Sequence, residues 1–323
     1  MTTQNPQPRK GEVGVMSEEP QRIAVYEELK TLRPVSEGAE YWLGRPIECL
    51  NHGFIYLVDY MGNDDSVVQA ARVSYGQGTT KVNTTRGLIR YLRRHMHTTP
   101  FEMVEFKFHC KMPIFVARQW VRHRTANINE YSGRYSIMSN EFYLPDSSVI
   151  SKQAEGNRQG RGEELSSEKK KRVLELLQQD YERTYEHYRE FVGEDFDLAR
   201  ELARIGLSLA NYTEWYWKID LHNLMHFLTL RMDSHAQYEI QVFANAMAQI
   251  VKDALPICYS AFEDYQLNAT RLSGPEKELI KAHEWPKSRQ EAFDLAFKRF
   301  DNQRESNEFV DKIAELGMIS EQL

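Results

Sequence analysis

Three segments of the chain have the pattern of β-strands. Residues 104–111 (VEFKFHCK) alternate apolar and polar side chains, which predicts a strand with one face on an apolar core. Residues 54–60 (FIYLVDY) are rich in β-branched and aromatic side chains and are followed shortly by Gly-Asn-Asp, which predicts a strand that ends in a turn. Residues 212–219 are aromatic enough to predict a further strand.

Apolar residues that recur every three or four positions predict helices elsewhere in the chain. The predicted ranges are 64–73, 88–95, 114–121, 173–192, 198–209, 221–232 and 234–251. Asp64 or Asp65 can cap the first helix and Thr84 or Thr85 the second, because their side-chain oxygens accept hydrogen bonds from unpaired backbone N–H groups. Pro113 suits the first turn of the helix that follows it.

Local composition divides the chain into three parts. Residues 1–36 contain few apolar side chains, so we expect a mobile N-terminal extension with a short helix over 24–32. Residues 37–270 form the expected main domain. Within it, residues 151–171 are polar, contain glycines and end in a lysine run, which predicts an exposed insertion. Residues 271–323 are charged and helical in pattern, so we expect a peripheral helical extension.

Overall composition excludes several classes of protein. The 41 Lys and Arg against 47 Asp and Glu give a net charge of −6, which disfavours general binding to nucleic acids or anionic membranes. No apolar run is long enough to span a bilayer, and the N-terminus lacks a secretory signal, so we expect a cytoplasmic protein. The three cysteines form no CxxC pair, which argues against a disulfide framework and a thiolate zinc site.

Residues 118–135 (RQWVRHRTANINEYSGRY) are unusually rich in arginine. Arginine clusters usually lie on a solvated face. Here Trp120, Ile128 and Tyr131 are interleaved with the arginines, so several guanidinium groups should lie near a core wall. The guanidinium group donates two parallel hydrogen bonds to phosphate or carboxylate. The segment therefore predicts a pocket for one or more phosphorylated ligands.

The same segment resembles a known family. Arg122-His123-Arg124, followed by seven residues and Ser132, is similar to the RHR-x7-S signature of the flavin-dependent thymidylate synthases. Residues 97–102 (HTTPFE), residues 71–74 (ARVS) and residues 230–237 (LRMDSHAQ) resemble further motifs of that family. The resemblance runs from about residue 52 to residue 264.

The resemblance implies an α/β (α+β) fold with a largely antiparallel sheet flanked by helices, and a catalytic domain over residues 37–270. It implies a homotetramer with active sites shared between subunits. The implied reaction is the reductive methylation of dUMP to dTMP, with methylenetetrahydrofolate as carbon donor and with FAD, reduced by NADPH, as hydride source. None of the three cysteines lies in a matched motif, which fits a route without an enzyme nucleophile.

The resemblance also assigns residues to the two sides of the site. The implied flavin-binding residues are Ser74, His97, Thr99, Glu102, Arg122, His123, Arg124, Glu130, Asp220, His222 and His226. The implied nucleotide-binding residues are Gln119, Arg122, Glu130, Ser132, Gly133, Arg134, Arg204 and Arg231. From the residues themselves, the sequence Ser132-Gly133-Arg134 suits a phosphate clamp, because hydroxyl, backbone amide and guanidinium groups can all donate to one oxyanion. A nucleophilic role for Ser132 is the less favoured alternative.

Arg231 is the candidate catalytic residue. A fixed cation beside uracil would stabilise the charge released when N3 ionises, and would thereby push electron density towards C5. The alternative is an ion pair at a helix end with Asp233 or Glu239.

Four alternatives stay open in the sequence. His222 and His226 lie four residues apart and could suggest a metal pair, but no HExxH motif or third ligand is evident, and we expect no metal. His97 could instead be a histidine at a helix C-terminus that interacts favourably with the helix dipole. Residues 157–162 (NRQGRG) could contact phosphate, although a solvated loop is favoured. For the whole chain, the competing classes are a nucleic-acid-binding module that uses the Arg-rich segment and a non-catalytic helical scaffold.

Overall fold

A five-stranded antiparallel sheet organises the fold. The computed structural model describes residues 33–73, 85–154, 160–281, 286 and 288–319. The strands are β1 (Ile47–Cys49), β2 (Gly53–Met61), β3 (Glu105–Pro113), β4 (Asn127–Glu130), β5 (Ser151–Gln153), β6 (Arg161–Glu164) and β7 (Tyr212–Asp220). Five of them form the sheet in the order β1-β2-β3-β7-β4, with every neighbouring pair antiparallel. The antiparallel α/β fold expected from the sequence is confirmed.

Helices flank this sheet or follow it along the chain. In chain order they are α1 (Glu37–Trp42), α2 (Asp64–Val73), α3 (Thr85–Arg94), α4 (Ile114–Trp120), α5 (Ser167–Phe191), α6 (Arg200–Ala203), α7 (Leu221–Arg231), α8 (Tyr238–Ala254), α9 (Pro256–Phe262), α10 (Gly274–Lys281), α11 (Arg289–Phe300) and α12 (Gln303–Glu315). None of the helices in the described part of the chain combines the length and the apolar composition that a membrane span requires.

The alternation of apolar and polar side chains over residues 104–111 predicts the buried face of β3 correctly. Phe106, Phe108, Cys110 and Met112 are fully or almost fully buried, and the residues between them are half-buried. Phe108 lies opposite Leu57 of β2 and Trp217 of β7, so the apolar rows of three strands meet in register. The main core therefore lies on this face of the sheet.

Aromatic rings join α4 and α7 to that core. The ring of Trp120, at the end of α4, lies 5.2 Å from the ring of Trp217 and 5.1 Å from that of Phe227 on α7. All three side chains are fully buried. Edge-to-face and offset contacts of this kind stabilise a pair beyond the area that it buries. The packing fixes the ends of α4 and α7, which carry the residues of the candidate site.

The prediction of one helix over residues 198–209 is wrong. Only Arg200–Ala203 is α-helical, and a single 3₁₀ turn follows over Arg204–Gly206. Leu202, Ile205 and Leu209 are more than half exposed, so burial of an apolar face does not stabilise a longer helix. The carbonyl of Leu209 instead accepts a hydrogen bond from the backbone N–H of Phe115, at 3.0 Å.

Two further boundaries differ from expectation. The helix predicted to start at residue 234 begins at Tyr238, because the Asp233 carboxylate accepts a 2.8 Å hydrogen bond from the backbone N–H of His235 and forms a turn there. In the insertion, β5 and β6 form a two-stranded hairpin, and α5 begins at Ser167 rather than after the lysine run.

The C-terminal helices α10 to α12 have their own apolar cluster, which includes Leu279, Phe309 and Ile313. Lys312 donates to the buried Glu276 carboxylate at 2.7 Å and links α12 to α10. The division of the chain into an N-terminal extension, a main domain and a C-terminal extension stays a prediction. The helix predicted over residues 24–32 lies outside the described residues.

Candidate active site

The turn after α4 carries the Arg-His-Arg motif. The backbone N–H of His123 donates to the carbonyl of Trp120 at 3.0 Å, which continues the chain from the buried end of α4. His123 points inward and is 9% exposed, whereas the neighbouring Arg122 and Arg124 are exposed. One turn therefore presents two cations outward and holds an imidazole inside.

His123 contacts the candidate catalytic arginine. The Nε–H of Arg231, the last residue of α7, donates to Nε2 of His123 at 3.0 Å. The His123 ring stands edge-on to Phe227, at a centroid distance of 4.9 Å, and lies 6.0 Å from the ring of His226. Burial first, then the charges of Arg231 and His226, lower the pKa of His123 to about 4. Burial also lowers the pKa of Arg231.

The carboxylates considered as partners for Arg231 are engaged elsewhere. Asp233 accepts from both the backbone and the ring of His235, and Glu239 pairs with Arg161 at 2.6 Å. Among the described residues, Arg231 forms no ion pair with a carboxylate within 4 Å. Its positive charge is therefore not neutralised by a carboxylate at the helix end.

Residues assigned to the nucleotide side lie on α4 and around β4. Gln119 donates a hydrogen bond to the side chain of Gln237, just before α8. Glu130, the last residue of β4, accepts from the hydroxyl of Thr213 on β7 at 2.8 Å. Gln119 is thus tied to the segment before α8, and Glu130 is tied to β7.

The predicted phosphate clamp is a tight turn. The Oγ of Ser132 accepts from the backbone N–H of Arg134 at 3.3 Å, and the Arg134 guanidinium pairs with Glu201 of α6 at 3.0 Å. Gly133 is buried, and a Cβ there would lie 2.8 Å from Sδ of Met138 and 3.3 Å from Cδ of Arg204. The absence of a side chain at this position allows Arg204 to lie against the turn.

Residues assigned to the flavin side gather at the start of α7. The segment Thr99–Met103 is a 3₁₀ helix, and Asp220 caps α7 by accepting from the backbone N–H of Asn223 at 2.9 Å. Asn223 in turn accepts from the hydroxyl of Thr125 at 2.9 Å, which ties the residue after Arg124 to α7. Two parts of the chain that are about 100 residues apart therefore meet at this helix N-terminus.

His222 is the most informative residue of this group. Its Nδ1 is buried and has no hydrogen-bond partner among the described residues. Burial first, and then the charge of Arg93, lower its pKa, while Asp220 and Glu102 act in the opposite direction. A buried polar atom without a partner costs free energy, so it marks a place where a ligand can donate or accept. This orphaned atom and the surrounding charges fit a polar cofactor such as a flavin.

Sequence analysis missed Arg93 as part of this group. Arg93 lies in the last turn of α3, with its guanidinium 5.7 Å from the rings of Phe101 and Phe262. Burial lowers its pKa to about 10. Its position four residues before His97 was the available signal. The backbone N–H of His97 donates to the carbonyl of Leu92 at 2.9 Å and closes α3, while the imidazole itself is exposed.

Ten of the predicted residues fall into three groups within one chain. Arg231, His123 and His226 form the first. Glu102, Asp220 and His222 form the second, and the turn at 132–134 with Arg204 forms the third. Ser74 lies outside the described residues. No group of three His, Cys, Asp or Glu side chains in the described part of the chain has the arrangement of a metal site.

Comparison with known proteins decides the family. The model of the family described as thymidylate synthase complementing protein matches residues 56–257. The chain belongs to this family. It is 56% identical to the flavin-dependent thymidylate synthase of Ruegeria pomeroyi over 245 residues, which are 75% of this chain and 81% of that protein. It is 55% identical to the flavin-dependent thymidylate synthase of Gluconobacter oxydans over 252 residues, which are 78% and 83% of the two chains.

Solved structures place the fold in the same thymidylate synthase complementing family. The UMP/dUMP methylase PolB from Streptomyces cacaoi, bound with 5-Br UMP, superposes with a TM-score of 0.61 at 34% identity. The superposition covers 68% of this chain and 97% of PolB. PolB bound with 5-Br dUMP gives the same TM-score at 33% identity. The family resemblance inferred from the four sequence motifs is confirmed.

Proposed function

We propose that this chain is a flavin-dependent thymidylate synthase that converts dUMP to dTMP. The observation that carries the proposal is the juxtaposition of Arg231 with the Arg-His-Arg turn, in a chain of this family, with no carboxylate partner for that arginine among the described residues. The names of the relatives support a flavin and a thymidylate product, and the PolB complexes support a uridylate substrate.

FAD, reduced by NADPH, would supply the hydride that turns a methylene group from methylenetetrahydrofolate into the methyl group of dTMP. The residues that would hold the flavin are those around the start of α7. His222 offers an unpartnered ring nitrogen, and Arg93 offers a cation that is already partly desolvated. Arg122 and Arg124 are exposed cations on the adjoining turn and suit contact with phosphate oxygens.

On the nucleotide side, the turn at 132–134 would bind the phosphate of dUMP. Ser132, the backbone of Gly133 and the guanidinium of Arg134 offer different kinds of donor within three residues. Arg134 would release Glu201 and pair with the phosphate instead. The free-energy cost of releasing Glu201 is small, because an exposed ion pair contributes little to stability. In a homotetramer with sites shared between subunits, this turn would lie beside the flavin-binding residues of a second copy.

Arg231 would act on the pyrimidine. A partly desolvated guanidinium stabilises negative charge more strongly than one in bulk water. The loss of the N3 proton from uracil would therefore be favoured, and C5 would become more nucleophilic without addition of an enzyme thiolate. The three thiols are buried, which fits this route.

The decisive experiment measures dTMP formation by the purified full-length protein with dUMP, methylenetetrahydrofolate, FAD and NADPH. Bound oxidised flavin should give a yellow solution. Omission of dUMP, methylenetetrahydrofolate or NADPH should abolish the product, and so should removal of the bound flavin without addition of FAD. Light scattering should give the mass of a tetramer. Absence of dTMP from a folded, flavin-containing protein would refute the proposal.

A further inference from the structure

The contact between Arg231 and His123 joins two residues that are 108 positions apart in the chain. The imidazole comes from the turn after α4 and the guanidinium from the last residue of α7. We infer that His123 is a positioning residue for Arg231: its Nε2 accepts the Arg231 Nε–H and leaves both terminal NH₂ groups of the guanidinium for the pyrimidine. This inference rests on the proposed function.

The chemistry of the acceptor explains why it is a histidine. A carboxylate at this place would hold the guanidinium equally well, but it would cancel the positive charge that Arg231 must offer to uracil. A neutral imidazole nitrogen accepts a hydrogen bond without carrying a negative charge. The nearby carboxylates, Asp233 and Glu239, are occupied by His235 and Arg161. The arrangement therefore fixes the cation and leaves its charge intact.

The surroundings keep the imidazole in the form that accepts. The ring is buried against Phe227, and the guanidinium of Arg231 and the ring of His226 face it from α7. Each of these disfavours a second proton on the ring, so Nε2 remains an acceptor at neutral pH. Since Nε2 accepts, the single ring proton lies on Nδ1.

A competing role for His123 is direct contact with the flavin, as the family resemblance implies. The two roles predict different effects of substitutions at His123. A flavin ligand would be damaged by any change of the ring, whereas a positioning residue needs only an acceptor at the right reach. Glutamine provides such an acceptor, because its side-chain oxygen can occupy about the place of Nε2. Phenylalanine keeps the ring and removes the acceptor.

The test compares His123→Gln, His123→Phe and a control, His187→Phe, which changes an exposed histidine of α5. Turnover and KM for dUMP are measured at saturating FAD, with flavin content read from absorbance. We expect His123→Phe, which loses the hydrogen bond to the charged guanidinium, to lower kcat about tenfold or more. His123→Gln, which keeps that hydrogen bond, should have a kcat within about threefold of the wild type. The control should match the wild type.

A double-mutant cycle isolates the contact. In an Arg231→Lys background there is no arginine Nε–H to donate to Nε2 of His123. His123→Phe should therefore change kcat less than about twofold in that background. Equal losses in His123→Gln and His123→Phe, or additive losses in the double mutant, would overturn the inference.

An independent readout needs no ligand. In protein labelled with ¹⁵N at arginine Nε, the Arg231 signal, assigned by its absence from Arg231→Lys, should exchange slowly with water in the wild type and in His123→Gln, and quickly in His123→Phe. The same exchange rate in all three proteins would refute the hydrogen bond. A wild type that shows the slow signal and makes no dTMP would refute the proposed function instead.

Discussion

The pair formed by Arg161 and Glu239 provides a quantitative test of how the hairpin of β5 and β6 is held. Arg161 donates to Oε1 of Glu239 at 2.6 Å, and the hydroxyl of Tyr143 donates to the same oxygen at 2.9 Å. The Glu239 side chain is only 4% exposed, whereas that of Arg161 is 38% exposed. In Arg161→Ala, a buried carboxylate would keep a single hydrogen-bond donor.

The expected cost follows from these exposures. Breaking a fully buried ion pair costs about 3–5 kcal/mol. Water reaches the arginine side of this pair, and the Tyr143 hydroxyl remains, so we expect a loss of about 1–2 kcal/mol in the free energy of unfolding. The matched control is Lys152→Ala in the same hairpin, whose 2.8 Å pair with Glu163 is exposed on both sides and should change stability by no more than about 0.5 kcal/mol.

The assay is urea unfolding of the full-length protein at one fixed concentration and pH, because any association would make the midpoint depend on concentration. Arg161→Ala should shift the midpoint clearly below both the wild type and Lys152→Ala. The additional change Glu239→Gln should recover part of the loss, since an amide needs no cation. A midpoint for Arg161→Ala equal to that of Lys152→Ala would refute the argument that the buried carboxylate depends on this arginine.

Three further predictions concern catalysis and pH. Arg231→Ala should lower dTMP turnover at saturating dUMP while NADPH still reduces the flavin, and Arg231→Lys should keep partial activity because it keeps the charge; normal turnover in Arg231→Ala would remove it from the reaction. The triple change of Cys49, Cys110 and Cys258 to Ala should retain dTMP formation in a less stable protein, since all three thiols are buried and burial raises the pKa of Cys49 to about 12; an inactive but folded, flavin-containing variant would contradict this. The hydrogen bond with His109 is the largest cause that lowers the pKa of Glu214 in the folded protein. The ionised Glu214 therefore stabilises the fold above its unfolded pKa of about 4.5, and this stabilisation is lost as pH falls through the lower folded pKa. Glu214→Gln should make the free energy of unfolding depend less on pH in this range, and an unchanged pH dependence would show that Glu214 is not responsible.

Elements whose burial has a local pattern could be predicted from the sequence. The period of two along residues 104–111 predicts β3 because alternate side chains face the core, and α2 begins at Asp64 as expected. The predicted cap by Asp64 or Asp65 is wrong: Oδ1 of Asn63 accepts from the backbone N–H of Ser66 at 3.1 Å, whereas the Asp64 carboxylate accepts from the backbone N–H groups of Ile257 and Cys258. The same reasoning fails over residues 198–209. Apolar residues at helical spacing favoured a helix, but Leu202, Ile205 and Leu209 lie exposed, and spacing alone does not reveal whether a face has a partner.

Long-range contacts could not be predicted. The hairpin of β5 and β6 is polar on both faces, so no periodicity marks it, and its ion pair reaches a residue 78 positions away. The motifs indicated that His123 and Arg231 belong to one site, but not that they share a hydrogen bond. Arg93 was missed because its burial, beside the rings of Phe101 and Phe262, arises only in the folded chain.

The direct junction between β7 and α7 limits how this site can change in evolution. Asp220 is both the last residue of the strand and the cap of the helix, and Arg231 ends the helix eleven residues later. At about 1.5 Å per residue the helix is roughly 16 Å long, and one inserted or deleted residue would turn its far end by about 100°. Such a change would carry Arg231 away from His123. Insertions and deletions should therefore be excluded from α7.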